Sequence, residues 1–214
     1  MFDRILITSG PTLEPIDPVR FLSNRSSGKT GFHLAGEARA RRLGPVTFIT
    51  GPTAHIPSQV EVIQVESAQE MRAAVKAHCR QADVIIMAAA VSDYRSLKYY
   101  PDKMKKSGDR LSLELVKNPD ILLELGREKR PGQVLVGFAA ETEDIFVHAQ
   151  KKLLAKNLDL LVLNEISELN PVFGCEENQV YLVRRDGVRK IERMSKAGIA
   201  ALVWDDIIDL AGHL

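Results

Sequence analysis

Short apolar runs rich in β-branched residues alternate along the chain with longer segments in which apolar residues recur at helical spacing. The runs Arg4–Thr8, Val46–Thr50 and Val84–Ala88 predict buried strands, and the intervening segments Gly28–Leu43 and Ala68–Arg80 predict helices. Parallel strands need a crossover connection, and helices usually provide it, so this alternation indicates βαβ units. The pattern therefore predicts the α/β class.

The same alternation continues through the second half of the chain. Strands are predicted at Val134–Phe138 and Leu158–Leu163, with a helix over Ile145–Ala155 between them, and a last helix is predicted from about Lys196. We find no internal repeat, low-complexity tract or linker. We therefore predict one α/β domain over residues 1–214, built on a mainly parallel, Rossmann-like sheet with helices on both faces.

Two stretches break this alternation. Residues 94–110 are polar and rich in lysine, which predicts a mobile flap. Residues 179–191 have the pattern of a β-hairpin, and we attribute its turn to Asp186-Gly187, since such a pair supplies the positive φ angles that a tight turn needs. We therefore predict a flap and a hairpin outside the regular strand–helix order.

Composition narrows the class of protein. The chain has 29 basic and 28 acidic residues and a formal net charge of +1, which argues against a general nucleic-acid binder. No apolar stretch reaches the roughly eighteen residues that indicate a membrane span. Cys79 and Cys175 form no CxxC pair, and the five histidines show no ligand spacing, so neither a zinc site nor a disulfide framework is indicated. We expect a cytoplasmic protein without a membrane partner.

The loop after the first predicted strand is a candidate anion site. In open parallel sheets, ligands bind beyond the carboxyl ends of the strands. Residues 23–31 combine serines with Gly28 and Gly31 at the start of a helix, where free N–H groups and the helix dipole favour negative charge. The alternative is an ordinary serine N-cap with a glycine-rich approach.

Familiar nucleotide motifs are absent. A Walker A motif needs glycine five residues before Gly28, and Ser23 stands there. The dinucleotide fingerprint of three spaced glycines does not follow the first strand. Tyr94 and Lys98 have the spacing of the Tyr-x-x-x-Lys pair of short-chain dehydrogenases, but they lie in a loop-like stretch, and we interpret the match as chance. No Gly-x-Ser-x-Gly elbow occurs, which argues against a serine hydrolase.

Two further loops hold candidate groups. Residues 88–90 are consecutive alanines at a strand end and let a ligand approach the backbone, and Asp93 can accept hydrogen bonds from it. The alternatives are tight packing for the alanines and a turn cap for Asp93. Lys103, Lys105 and Lys106 follow in the flap, where the alternative is a solvated face.

Residues 117–121 predict a helix start that can also face a ligand. We expect Asn118 as N-cap, Pro119 at the first helical position and Asp120 against the positive helix end.

Phe138 and two lysines complete the set of candidates. Phe138 is either the core end of a strand or a platform for a base. Lys152 and Lys156 share a helix face, which is either solvated or turned towards phosphates.

Taken together, these segments resemble the phosphopantothenate–cysteine ligases of coenzyme A biosynthesis, over nearly the whole chain. The segments that carry the resemblance, in the family's order, are Glu14–Arg20, Ser23–Gly31, Ala89–Tyr94, Pro101–Lys106, Val116–Ile121, Gly137–Thr142, Lys156–Asp159 and Phe173–Asn178. No single motif is decisive, but their common register is specific.

The resemblance implies a two-step reaction. The carboxylate of 4′-phosphopantothenate attacks the α-phosphate of a nucleoside triphosphate, and the amine of L-cysteine then displaces the nucleotide to form an amide. Bacterial members use CTP with Mg²⁺, and the flap resembles theirs. The resemblance also implies a homodimer and, as a partner, a separate phosphopantothenoylcysteine decarboxylase, because bacterial members are often fused to one.

The resemblance further implies roles for individual residues. Asn24 and Lys103 are the implied catalytic residues. Binding of the pantothenoyl moiety or acyl intermediate is implied for Asn24, Ala89, Ala90 and Asp93. Nucleotide binding is implied for Ser26, Gly28, Gly31, Asp93, Lys103, Asn118, Pro119, Asp120, Ile121, Phe138, Lys152 and Lys156. No residue is implied as a dedicated metal ligand.

The chain departs from the family at a few positions. Pro11 and Thr30 stand where glycine and methionine are expected, and Cys175 stands where serine or aspartate is common. Pro11 has no N–H, so a phosphate contact in the first loop is in doubt.

Two alternative functions stay open. One is a nicotinamide-dependent reductase with a degenerate cofactor loop, and the missing fingerprint speaks against it. The other is a non-catalytic nucleotide-binding module, and the presence of Asn24, Asp93 and Lys103 speaks against that.

Overall fold

The structure is a computed structural model and describes residues 1–105, 108–167, 170 and 172–213. Its strands are β1 (Ile5–Ser9), β2 (Leu13–Pro15), β3 (Phe21–Ser23), β4 (Val46–Thr50), β5 (Glu61–Gln64), β6 (Val84–Met87), β7 (Tyr94–Ser96), β8 (Leu115–Lys117), β9 (Val134–Glu141), β10 (Leu160–Glu165), β11 (Glu177–Val183) and β12 (Val188–Ser195). Its α-helices are α1 (Lys29–Ala40), α2 (Ala68–His78), α3 (Ile121–Glu128), α4 (Ile145–Ala155) and α5 (Lys196–Gly212), and a 3₁₀ turn at Cys79–Gln81 follows α2.

Eight strands form one central sheet in the order β12-β11-β10-β9-β6-β1-β4-β5. Six of these strands are parallel to one another, namely β10, β9, β6, β1, β4 and β5. Strands β11 and β12 extend the sheet with antiparallel pairs. Among the six, chain order reverses between β1 and β6, as in doubly wound folds. The predicted mainly parallel, Rossmann-like α/β sheet is confirmed.

Alternating side chains of the sheet enter two cores. In β1, Ile5 and Ile7 are buried on the side of Leu34 from α1 and Trp204 from α5. Leu6 points to the opposite side. The indole N–H of Trp204 donates to the Leu34 carbonyl at 2.9 Å, which joins α5 to α1. Burial of every residue of β1 explains why its sequence opens with three consecutive apolar residues, Ile5 to Ile7, rather than with an alternating pattern.

Several short strands were not predicted. β5 is a four-residue edge strand with exposed ends, and its polar termini obscure the pattern. β2 and β3 form a hairpin around Asp17, and β7 and β8 form a second small ribbon. The predicted first helix runs too far, to Leu43, because the chain leaves the helix after Ala40 and Arg42 adopts a left-handed φ of 55°.

The predicted flap begins as strand β7, and its root is the β7–β8 ribbon. Tyr94 therefore lies in a strand, which agrees with interpreting its spacing to Lys98 as chance. The flap rests on the β2–β3 hairpin, because the Met104 N–H donates to the Asp17 carboxylate at 3.2 Å and the Tyr100 N–H to the Ile16 carbonyl at 2.9 Å. Lys106 lies outside the described residues.

The predicted hairpin is present as β11 and β12, but the reason given for its turn is wrong. Neither Asp186 nor Gly187 has a positive φ. Val183 pairs with Val188, so four residues form the loop, and the Arg184 N–H donates to the Gly187 carbonyl at 2.9 Å. Loops of this length are usually built on type I turns, which need no left-handed residue.

Within the described part of the chain, none of the helices combines the length and the apolar character that crossing a membrane requires.

Candidate active site

A cavity of about 410 Å³ opens at the carboxyl ends of β6 and β9, next to the start of α1. It lies beside the place where chain order reverses between β1 and β6, as expected for a ligand site in this class of sheet. Its lining includes Asn24, Ser26, Gly28, Gly31, Ala89, Ala90, Asp93, Asn118, Pro119, Asp120, Ile121, Phe138, Lys152 and Lys156. The fold therefore brings together every predicted site residue except Lys103.

The glycine-rich loop enters α1 through Gly28. Gly28 is the N-cap residue with φ of 79°, and no side chain caps the helix, so the alternative of an ordinary serine N-cap is wrong. The Ser9 hydroxyl donates to the Gly28 carbonyl at 3.0 Å and fixes the loop to the end of β1. Because the first N–H groups of a helix have no intrahelical acceptor, this uncapped end can accept an anion.

Gly31 allows α1 to approach β1 closely. A Cβ atom on Gly31 would lie 2.5 Å from the Ser9 Cβ, which is closer than any side chain tolerates. Gly31 is therefore required by packing as much as by any ligand.

Asn24 and the alanine segment form one shelf of the cavity. The Asn24 amide donates to the Ala90 carbonyl at 3.0 Å, and the Ala90 N–H donates to the Gly10 carbonyl at 2.9 Å. Asp93 is exposed, and its carbonyl accepts from the Asn118 N–H at 2.8 Å. The shelf thus combines tight backbone packing with a neutral amide and a carboxylate at its edge.

The predicted start of α3 is wrong by two residues. Asp120 is the N-cap, and its carboxylate accepts from the Leu123 N–H at 3.0 Å. Asn118 instead donates its side-chain amide to the Ser92 carbonyl at 2.9 Å, which ties this loop to the end of β6. Pro119 therefore precedes the cap at Asp120, and the helix begins at Ile121.

The lysines of the site differ in position. Lys156 pairs with Asp120 at 2.8 Å, and Lys152 pairs with Glu141. Each ammonium therefore reaches the cavity with a carboxylate beside it. Lys103 is exposed in the flap and is not among the described residues that line the cavity.

Sequence reasoning missed the far wall of the cavity. Asn164 at the end of β10, Asn178 in β11 and Lys196 at the start of α5 also line it. Lys196 is 5% exposed, and its burial lowers its pKa. Locally, Lys196 has the pattern of a first helical residue after the Ser195 cap. Asn178 belongs to the segment Phe173–Asn178 that carries the family resemblance, but no role was predicted for it. The pairing of β11 with β10 brings Asn178 next to Asn164, and no local pattern indicates that contact.

Lys29 was missed as well, although it lies inside the glycine-rich loop segment. It lines the cavity and pairs with Glu176, whose pKa this contact lowers. The pair connects the start of α1 to the segment before β11.

The arrangement suits a phosphorylated ligand. It offers an uncapped helix start, lysines and neutral amides around one cavity. No group of three or more His, Cys, Asp or Glu side chains in the described ranges is placed to hold a metal ion. Such a site can bind and orient anions, and it can stabilise charge that develops on phosphate oxygens.

Comparison with known proteins gives a consistent result. The profile of the family described as DNA/pantothenate metabolism flavoprotein C-terminal domain matches residues 2–210. The coenzyme A biosynthesis bifunctional protein CoaBC of Haemophilus influenzae is 44% identical over 206 residues, which cover 96% of this chain and 51% of that protein. CoaBC of Escherichia coli K12 is 41% identical over 208 residues, with coverages of 95% and 51%. The chain spans about half the length of the curated relatives it matches.

A solved structure agrees with these relatives. The crystal structure of the C-terminal domain of CoaBC is 39% identical, with a TM-score of 0.83, and the match covers 99% of this chain and 97% of that one. The similarity therefore extends over the entire sheet and both helical layers.

Proposed function

Because this chain belongs to the family of DNA/pantothenate metabolism flavoprotein C-terminal domains, we propose that it is a phosphopantothenate–cysteine ligase of coenzyme A biosynthesis. It joins L-cysteine to 4′-phosphopantothenate in the cytoplasm, with CTP as the second substrate. The names of the relatives support the pathway, since they are coenzyme A biosynthesis proteins. The observation that carries the reaction type is the chemistry of the cavity.

That cavity holds groups that bind phosphates and polarise a carbonyl. The uncapped start of α1, Lys152 and Lys156 supply positive charge, and Asn24 supplies a neutral donor. Formation of an acyl phosphate anhydride needs these groups more than it needs a strong base, because the nucleophile is already a carboxylate.

The reaction has two balanced steps. A carboxylate oxygen of 4′-phosphopantothenate attacks the α-phosphorus of CTP, the bond to the bridging oxygen breaks, and pyrophosphate leaves. The cysteine amine then attacks the acyl carbon of the acyl-CMP, CMP leaves with the bonding electrons, and the nitrogen loses a proton. We assign Asn24, Ala89, Ala90 and Asp93 to the acyl portion, and Ser26, Gly28 and Gly31 to the phosphates.

The remaining assignments concern the nucleotide. Residues 118–121 and Phe138 frame it, and Lys103, Lys152 and Lys156 neutralise its charge. Lys103 needs a movement of the flap to act, since it is exposed outside the cavity.

Magnesium is proposed as a companion of CTP rather than as a resident ion. Mg²⁺ is commonly held by one or two carboxylates together with substrate phosphates. Asp93, at the edge of the cavity, is a carboxylate that fits this use. When bound, the ion supplies charge neutralisation on the phosphates.

We also propose a homodimer. Large apolar side chains are exposed on the two small ribbons, including Phe21 at 54%, Tyr94 at 46% and Leu115 at 45%. A second copy of the chain can cover them. Sedimentation of the wild type and of Phe21→Asp tests this, and a wild type that sediments as a monomer contradicts it. A phosphopantothenoylcysteine decarboxylase is proposed as the functional partner, because its substrate is this ligase's product.

The direct test supplies 4′-phosphopantothenate, L-cysteine and Mg²⁺ with either CTP or ATP and follows pyrophosphate. We expect faster turnover with CTP. Equal or faster turnover with ATP contradicts the nucleotide assignment alone. Absence of pyrophosphate with both contradicts the ligase function, and oxidation of NADPH in a parallel assay would favour the reductase.

Asn24 offers a sharper test of the site. Asn24→Asp keeps the size but replaces the NH₂ donor with acceptors only. We expect the second step to slow more than the first, so that acyl-CMP accumulates while pyrophosphate is still released. Wild-type kinetics, or simple loss of CTP binding, would remove Asn24 from the acyl site.

A further inference from the structure

A line of polar side chains runs along the far wall of the cavity and begins at Lys196. The Lys196 ammonium donates to the Cys175 carbonyl at 2.8 Å, to the Asn178 side-chain oxygen at 3.1 Å and to the Val172 carbonyl at 3.3 Å. An ammonium has three N–H bonds and no acceptor, so these contacts use its whole capacity. Lys196 thereby holds the segment before β11 against the cavity.

The line continues through two amides. Asn178 donates its side-chain NH₂ to the Asn164 side-chain oxygen at 3.1 Å, and Asn164 donates to the Ala139 carbonyl at 3.4 Å. A side-chain amide can usually be turned by 180°, which exchanges donor and acceptor. Here both ends are fixed, since the lysine can only donate and the carbonyl can only accept. Lys196 and the Ala139 carbonyl therefore together set the orientation of both amides.

Lys196 has no direct carboxylate partner in the part of the chain that the structure describes. Its acceptors are all uncharged, and within the described ranges none of the ion pairs includes it. The neighbouring Glu176 is paired with Lys29. A buried charge is unfavourable for folding unless it is well hydrogen-bonded, and three acceptors meet that condition for Lys196, so its charge is tolerated in the cavity wall and orders the groups around it.

The two amides still have free capacity. After the contacts above, Asn164 and Asn178 each keep one N–H and one acceptor position, and both line the cavity beside Phe138. A flat group with polar edges that stacks on Phe138 would meet them, and a nucleobase has this shape.

We propose that Lys196 is a positioning residue that fixes the amides of Asn178 and Asn164 for recognition of the nucleoside part of the bound nucleotide. This inference rests on the proposed function, since it takes CTP as the ligand. Lys196 acts through the two amides and not by contact with the ligand.

Asn178→Asp and Lys196→Met test the chain of contacts. The carboxylate that Asn178→Asp introduces can only accept, so Asn164 has to turn its NH₂ towards it, and the Asn164 oxygen then faces the Ala139 carbonyl. The same variant gives Lys196 a carboxylate partner, so it should fold at least as stably as the wild type. Lys196→Met removes one of the two end contacts that fix the orientation, so that the Asn178 amide is held from the Asn164 side alone. Lys190→Met is the control, because Lys190 is an exposed residue of β12 that pairs with Glu192.

The readouts are the affinities for CTP and for inorganic tripolyphosphate, by calorimetry with Mg²⁺, together with the melting temperature. We expect Asn178→Asp and Lys196→Met to lose at least about tenfold in CTP affinity, since polar recognition sites reject a mismatched partner strongly. Tripolyphosphate affinity should change by less than about threefold, because tripolyphosphate has no base for the two amides to recognise. Lys190→Met should match the wild type in both.

Other outcomes overturn the inference. Wild-type CTP affinity in Asn178→Asp would show that amide orientation is irrelevant. Equal losses for CTP and tripolyphosphate would assign the effect to charge rather than to the amides. A loss in Lys196→Met without one in Asn178→Asp would mean that Lys196 touches the ligand itself. If the wild type binds no CTP, the proposed function fails and this inference fails with it.

Discussion

The wall of the cavity that is formed by the glycine-rich loop and the alanine shelf is built differently from the flap. In the wall, the Gly28 carbonyl accepts from Ser9, and Ala90 bonds to both Gly10 and Asn24. These contacts tie each loop to the centre of the sheet. The flap has no comparable support from the sheet among its described residues, and it rests on the β2–β3 hairpin through Tyr100 and Met104.

Under the proposed function, this difference separates binding, which falls to the wall, from catalysis, which involves the flap. The wall fixes donors and helix ends in place before any ligand arrives, which reduces the cost of organising them on binding. Lys103 is exposed and is not among the residues that line the cavity, so the role proposed for it requires the flap to carry it there. Variants of the wall should therefore change stability and affinity, and variants of Lys103 should change the rate with little effect on either.

Lys103→Gln should have the largest effect on rate. If its ammonium balances charge that develops on the phosphates, its loss should cost about 2–4 kcal/mol of transition-state stabilisation. That corresponds to a loss of roughly a hundredfold or more in the first step. The measurement is CTP-dependent pyrophosphate release without cysteine, together with the melting temperature, which should not change.

Lys105→Gln is the matched control, because Lys105 is also exposed in the flap. A solvated lysine should contribute well under about 1 kcal/mol. Similar modest losses in both variants would mean that the flap acts as a diffuse basic surface, and Lys103 would then have no individual catalytic role.

Gly31→Ala should lower both the stability of the protein and its affinity for CTP. Its new Cβ would collide with the Ser9 side chain, and overpacking of this kind costs about 1–3 kcal/mol. Thermal unfolding should show the loss, and CTP affinity should fall with it, because the start of α1 has to move away from β1.

Gly36→Ala is the control in the same helix. A Cβ there meets nothing within 4 Å, so the variant should gain up to about 1 kcal/mol from helix propensity. If Gly31→Ala is as stable as Gly36→Ala, α1 can shift without cost and the wall is not preorganised.

The sequence predicted the regular part of the molecule well because its patterns are local. Helix α4 has the predicted bounds, Ile145–Ala155, and α5 begins at Lys196 as expected. Periodic burial on one face is enough to define such elements. The small ribbons were missed, since strands of three residues show no period.

Which of two neighbouring residues caps a helix was harder to predict from the sequence. Asn118 and Asp120 can both cap a helix, and Asp120 does so because the Asn118 side chain is engaged elsewhere, its NH₂ donating to the Ser92 carbonyl and its oxygen accepting from Arg95. Lys196 shows the same limit, since its partners come from the preceding loop and strand. The family resemblance located most of the lining residues, but it could not show where the flap lies.

Asp17 supports the flap, because it joins the β2–β3 hairpin to it. Its carboxylate accepts from the Val19 and Arg20 N–H groups at 2.8 Å and from Met104 at 3.2 Å. Burial opposes ionisation of Asp17, but these backbone donors and the nearby Arg20 charge outweigh it, so its pKa lies below the ordinary value of 3.8.

Asp17→Asn should have the smallest effect, about 1 kcal/mol, because one side-chain oxygen remains to accept from Val19 and Arg20 while the acceptor for Met104 is lost. A carboxylate with a lowered folded-state pKa stabilises the protein fully above its unfolded value, and this contribution is lost as pH falls through the folded value. Thermal unfolding between pH 3 and pH 7 should therefore show a gap between wild type and variant that is constant near neutrality and narrows below about pH 3.8. A gap that does not change with pH would assign the loss to packing, and the flap would then be held to the hairpin by shape rather than by this charge.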